Sequence, residues 1–195
     1  MTSIFKTVLF GMAVVASTGA MADISNFTGP EVGATVTAGE GKIKFKEHSI
    51  SGTSADAALH AGYGLEVSED FVVLFGLDYN LSKLKAGRGE RQDGSTDNIY
   101  FKNPYSLSLG AGKPISENTL GFAKVSYEST KLSGGEANID LRGYGLGAGV
   151  RRMIDKNMYL QAEFKYTKYT KATGVSMDNI EITNTQFNFG VGYQF

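Results

Sequence analysis

The chain of 195 residues contains no cysteine, no tryptophan, only 3 prolines and only 2 histidines. Without cysteine it can carry neither a disulfide nor a lipid-modified signal, so an exported form must be held together by backbone pairing and packing. So few prolines exclude a proline-rich disordered chain. The formal net charge is −1, which gives no pull toward nucleic acid. With two histidines and no cysteine, no zinc-type ligand cluster is available. Beyond residue 22, no apolar run approaches the roughly 20 residues that a membrane-spanning helix needs. That absence leaves the membrane open, because an alternating barrel strand is invisible to a hydropathy window.

What is present begins at the N-terminus. Lys6 supplies a positive charge, an apolar run occupies residues 8–16, and small residues end in Ala20-Met21-Ala22 before Asp23. This pattern predicts a cleaved signal peptide over residues 1–22 and a single mature domain over 23–195. The 25 glycines suit a tightly curved sheet in which they relieve crowding.

Along the mature chain, two-residue alternation outscores helical spacing almost everywhere. It predicts strands at 32–45, 56–67, 71–81, 100–113, 119–131, 139–152, 158–171 and 183–195. In the third, Phe71, Val73, Phe75, Leu77, Tyr79 and Leu81 share one face. Longer polar connections are expected at 46–55, 85–98, 132–138 and 172–181, alternating with short turns at 68–70, 114–118 and 155–157. Near Gly39-Glu40-Gly41, the alternation places Lys42 and Lys44 on the formerly apolar face. Either a bulge resets the phase there, or the strand has already left the membrane.

The last strand is the most telling. Phe187, Phe189, Val191, Tyr193 and Phe195 fall on alternate positions, and the chain stops on an aromatic residue. So apolar an edge invites aggregation unless the strand closes a ring and turns its greasy face to lipid. The polar face of the sheet carries Glu66, Asp78, Lys124, Glu128, Arg151, Glu163 and Lys165, a near-balanced set. Eight strands enclose an interior just wide enough for side chains, so these charges are expected to pair across the lumen as a plug. A soluble lipocalin-type barrel would instead turn its apolar face inward around a ligand, and usually carries a tryptophan that this chain lacks.

Signal, eight strands, inward charges and a terminal Gly-Val-Gly-Tyr-Gln-Phe resemble the small outer-membrane β-barrel superfamily: OmpX/Ail-type proteins, the OmpA membrane domain and opacity-type proteins. The resemblance implies an all-β fold, an eight-stranded antiparallel up-and-down transmembrane β-barrel in the outer membrane of a Gram-negative bacterium. It also implies that Tyr193 and Phe195 form the signal read by the barrel-assembly machinery.

For function, the sequence supports a structural or adhesin-like surface role through the outer loops, with host surface or matrix molecules as partners. The alternative is a narrow channel or conduit for small apolar molecules; a lipid-modifying enzyme is a third reading. The enzyme reading lacks residues. His48 falls at the first loop and His60 on the polar face of the second strand, where an interior or rim hydrogen-bonding role is expected. No catalytic residue and no cofactor are expected. Lys42, Lys44, Lys46, Arg88 and Arg91 are candidates for a basic rim that meets lipopolysaccharide phosphates or a partner, and ordinary solvated loop charge explains them equally. Tyr79, Tyr100, Tyr105, Tyr127, Tyr144, Tyr166 and Tyr169 are expected in the outer aromatic girdle. The barrel is expected to be a monomer.

Overall fold

A computed structural model describes residues 24–45, 48–81, 84–90, 96–134, 137–173 and 180–195; the predicted signal peptide lies outside the described residues. A single helical turn, Ile24–Phe27, precedes nine strands: β1 (Gly29–Lys44), β2 (Ser49–Ser68), β3 (Phe71–Asn80), β4 (Leu84–Glu90), β5 (Thr96–Ser116), β6 (Thr119–Gly134), β7 (Ala137–Met153), β8 (Met158–Ala172) and β9 (Glu181–Gln194). All pair antiparallel with their neighbours, and β1 pairs with β9, so the sheet closes on itself. Both β3 and β4 lie against β5, at opposite ends of it. They are two halves of one stave, and the ring therefore has eight positions. Along the span of β3 the closure leaves no free edge, which is the condition for sheet to sit in lipid, while nearer the loop end β4 pairs with β5 and not with β2.

The alternation of the sequence sets the two faces. Val36, Leu59, Phe75, Leu107, Val125, Leu146 and Phe189 point outward and are exposed, as are Tyr193 and Phe195 at the end of the chain. Burying that many apolar side chains requires lipid rather than water. Among the described residues, no helix is long and apolar enough to cross a membrane.

The strands are longer than the sequence pattern predicts. Roughly 9–11 residues cross the hydrocarbon band, whereas β2 has 20 and β5 has 21. Three of the predicted long loops are thus largely strand. Most of the 46–55 loop is strand, since β2 starts at Ser49, and Phe45 N–H donates to the His48 carbonyl at 2.7 Å. The 85–98 loop contains most of β4 and the start of β5, and the 132–138 loop is taken up by the ends of β6 and β7. Polar residues keep extending the ladder once it has left the lipid, and composition alone does not reveal this. The turns between β2 and β3, β5 and β6, and β7 and β8 are short, as expected. We call that end of the barrel the turn end, and the other the loop end.

The question at Gly39–Gly41 resolves simply. The β1 register runs without a shift against both β2 and β9. Lys42 and Lys44 keep the outward phase and are exposed, so the strand has passed the apolar belt by then.

Inside, two apolar clusters sandwich a polar layer. At the turn end, Ile24 and Phe27 of the helical turn tuck in against Val72, Leu120, Phe122 and Tyr159. At the loop end, Ile43, Ala86, Phe101, Leu141, Tyr169 and Ile182 form a second cluster. The backbone explains the latter. Asn103 takes a positive φ of 48° just before Pro104, at a register break between Lys102 and Tyr105 against β6. Asn tolerates that left-handed conformation better than most residues. The break reverses the phase of β5 and turns Phe101 inward. Gly41 of β1 leaves the room this needs: a Cβ there would lie 2.9 Å from the Phe101 ring and 3.1 Å from Ala86 Cα. Strand β4 thereby rests against β1 across the mouth.

Candidate lumen network and loop-end surface

Between the clusters, polar side chains cross the lumen from strand to strand. Arg151 of β7 donates to both carboxylate oxygens of Glu31 on β1, and its Nε and Nη2 donate to Gln161 Oε1 at 3.0 and 2.9 Å. The guanidinium also sits 4.1 Å from the centre of the Tyr159 ring. Gly192 makes space for that ring, since any Cβ there would overlap it.

Glu31 continues the chain. His60 lies between two carboxylates, with Nε2 2.8 Å from Glu31 Oε1 and Nδ1 2.7 Å from Asp78 Oδ1. Ser106 donates to Asp78 Oδ2 at 3.1 Å. Lys124 Nζ stands 3.8 Å from Asp78 and 2.9 Å from Glu163. Nearer the loop end, Lys165 Nζ is 3.2 Å from Glu128, which also accepts from Ser126 at 2.6 Å. An ionised carboxylate only accepts hydrogen bonds. The imidazole thus fits its site as a doubly protonated cation, and the layer then holds four acids and four bases. Buried charges persist only when paired in this way.

Of the seven charges expected here, the structure brings six together: Asp78, Lys124, Glu128, Arg151, Glu163 and Lys165. Glu66 is not among them. It keeps the inward parity and pairs with Val72, but it is the last residue before a register shift at the turn end, where it is exposed at the rim. Sequence reading missed Glu31, although it lies two steps before Gly33 on the polar face of the first strand. Starting that strand after Pro30-Glu31 removed it from view. His60 does face the interior.

The other expected residues distribute as follows. Lys46 and Arg91 lie outside the described residues, and of Arg88 only the backbone, on β4, is described. Tyr79, Tyr105, Tyr144 and Tyr166 are exposed on the outer wall. Tyr169 is not: it is 4% exposed and stacks on Phe101 with ring centres 5.5 Å apart. It shares the inward phase of Glu163, Lys165 and Thr167, so strand parity overrides the preference of tyrosine for a girdle. Tyr193 and Phe195 meet edge to face at 5.0 Å on the outside. Gln194 between them points inward and donates to the carbonyls of Thr28 and Gly29, both at 2.9 Å.

Beyond the apolar belt, Lys168 Nζ lies 3.0 Å from Glu181 Oε1. That hydrogen bond holds the Glu181 carboxyl below its ordinary range and the Lys168 ammonium above it. Lys44 lies directly across the β1–β9 seam from Glu181.

A closed eight-position barrel with an apolar outer wall and a salt-bridged interior narrows the comparison to one kind of protein. Residues 8–195 match the family model for the outer membrane protein beta-barrel domain. The chain belongs to that family. Among solved structures, this outer-membrane barrel is similar to the outer membrane protein OprG from Pseudomonas aeruginosa, with 13% identity over 86% of this chain and 96% of that one and a TM-score of 0.57. It is also similar to Neisserial surface protein A, with 16% identity over 84% and 97% and a TM-score of 0.52. Ail, the attachment invasion locus protein of Yersinia pestis, aligns with 16% identity over 86% and 99% and a TM-score of 0.50. At these identities the likeness is one of fold. No curated protein matches the chain in sequence.

Proposed function

We propose that this outer-membrane barrel works by surface contact, in an adhesin-like role, through the strand ends and connections at its loop end. The observation that carries this reading is the division of the molecule. The interior is filled by two apolar clusters and a paired charge layer, while β5, β6 and β7 continue well past the lipid belt. A filled axis speaks against the conduit reading, and the two described lumen hydroxyls that meet a carboxylate, Ser106 on Asp78 and Ser126 on Glu128, are buried within that filled axis rather than open to a substrate, which speaks against an enzyme. What is left for function is the polar crown, where a rigid scaffold presents variable connections.

In this reading the chain is exported by a signal peptide cleaved after Ala22, inserted by the barrel-assembly machinery through Tyr193 and Phe195, and remains a monomer. The exposed Lys42 and Lys44 face lipopolysaccharide phosphates, and the crown meets host surface or matrix molecules. The test uses intact cells displaying the protein beside cells displaying a form without residues 87–96, with heat-shift gels showing that both barrels are folded. Binding to host cells or matrix proteins should disappear with that segment. Equal background binding by both folded forms would remove the adhesin reading.

A further inference from the structure

Past the end of β3, one strand of the wall is left with a bare edge. The ladder between β2 and β3 finishes at Ala57, whose carbonyl accepts from the Leu81 N–H at 2.8 Å. Strand β2 continues to Ser49 and stays paired with β1 the whole way, without a register shift. The backbone groups of an antiparallel strand point to its two neighbours at alternate residues. Ala57 faces β3, and His48, which accepts from Phe45, faces β1. By that parity the N–H and C=O of Ala55, Thr53, Ser51 and Ser49 point away from β1, and no ladder meets them among the described residues.

Strand β4 does not fill the place beside them. It pairs with β5, and a Cβ on the inward-facing Gly41 of β1 would lie 3.1 Å from Ala86 Cα. Strand β4 therefore lies inside the wall, reaching past β2 to β1, and at this height the sheet overlaps itself instead of closing edge to edge. Lys42 and Lys44 stand opposite Ser51 and Ser49, so this stretch is beyond the apolar belt and open to the outside of the cell. Ser49, Ser51, Thr53 and Ala55 are all exposed. Proteins usually guard such an edge with lysine, proline or a bulge. Residues 49–55 read Ser-Ile-Ser-Gly-Thr-Ser-Ala and have none of these.

We propose that the β2 edge from Ser49 to Ala55 is a docking site for an extended segment of another polypeptide, which adds to the wall as one more strand. The chemistry singles out this kind of partner. The edge offers a donor and an acceptor on every second residue, a repeat of about 6.8 Å. An extended backbone answers that repeat with its own C=O and N–H groups. Apart from Ile50, the side chains along the edge are hydroxyls, a methyl group and Gly52, which leave room for a ladder and offer little to discriminate side chains. The recognised feature is thus an extended conformation rather than one sequence. The inference deepens the surface-contact reading and rests on it for its biological use.

The test is amide hydrogen exchange by NMR on the full barrel in lipid nanodiscs, with the peptide Thr-Thr-Glu-Val-Thr-Thr-Glu-Val-Thr as probe. In the barrel alone, the amides of Gly52 and Ser54, bonded to β1, should exchange slowly, and those of Ser51 and Thr53 fast. Adding the peptide should slow Ser51 and Thr53 by about tenfold and leave Gly52 and Ser54 as they were. The same peptide methylated at every amide nitrogen should do nothing. Thr53→Pro removes an edge donor without touching a bond to β1, and should abolish the effect at Ser51 while a heat-shift gel still reports a folded barrel. If that variant does not fold, the alternating protection in the parent decides. Equal slowing at both parities, slowing by the methylated peptide, or an undiminished effect in folded Thr53→Pro would overturn the proposal. So would slow exchange of Ser51 and Thr53 that rises with barrel concentration in the absence of peptide, which would give the edge to a second copy. Protection by the peptide beside parent cells that bind no host surface would keep the edge and remove the adhesin reading; the reverse pair of results would keep that reading and remove the edge.

Discussion

Glu31 and Arg151 lie 120 residues apart in the chain and meet inside the barrel as a two-pronged ion pair, both nearly closed off from solvent. Removing one member strands the other charge in a medium that cannot solvate it. Arg151→Met is expected to destabilise the barrel by about 3–5 kcal/mol, and Arg151→Glu by at least as much. Glu31→Gln with Arg151→Met should recover a good part of the loss. Urea unfolding in lipid vesicles measures these variants and Glu31→Gln alone, which closes the cycle. Additive losses in the double variant would mean that the two side chains do not act on each other.

His60 ties Glu31 to Asp78 and so joins β2 to the first and third strands. His60→Phe keeps the bulk but removes both donors. The expected cost is about 1–3 kcal/mol, for one donor lost to each of two lumen carboxylates that keep their other partners. Asp78→Asn in the same background should restore part of it. A His60→Phe barrel as stable as the parent would show that the imidazole is not a bridge.

The loop-end cluster and the charge layer close the axis independently. The parent should therefore give no steps of current in a planar bilayer. Phe101→Ala with Tyr169→Ala should cost about 3–5 kcal/mol per ring removed, yet remain silent, because Lys165 and Glu128 still fill the section below. Regular conductance steps from the parent would revive the transport reading.

At the outer wall, Phe195→Ser should slow insertion into the outer membrane if the terminal ring belongs to the assembly signal. The folded barrel itself should lose little, since Phe195 is 67% exposed. Pulse-labelled insertion compared with equilibrium stability separates the two effects. Normal insertion would take the signal role away from Phe195.

Much of this architecture was legible in the sequence because lipid and lumen impose opposite preferences on alternate residues. Phe71 to Leu81, and Phe187 to Phe195, announce their outer face without help from any partner. The lumen charges could be found the same way, as polar residues on the phase opposite to the greasy one. Two things were hidden. The loop-end cluster depends on Asn103 and Pro104 reversing the phase of β5, and a one-residue register break inverts every later assignment. The open edge of β2 depends on β4 lying inside the wall against Gly41, and nothing within β2 itself reveals that. Tyr169 marks the general difficulty: its residue type argued for the membrane surface, and its parity argued for the interior.

The charge layer also bears on the order of events in folding. Glu31 sits on the first strand, and its partner Arg151 on the seventh, so they come together only once the ring is nearly complete. Contacts this distant form late, after the costly loop closures have been made. An interaction absent from the transition state leaves the folding rate alone and appears almost wholly in the unfolding rate. Glu31→Gln should accordingly speed unfolding and leave insertion unchanged; slower insertion with the same unfolding rate would place the pair in the nucleus instead. The pair then works as a latch, doing nothing to bring the barrel together and governing how long it lasts.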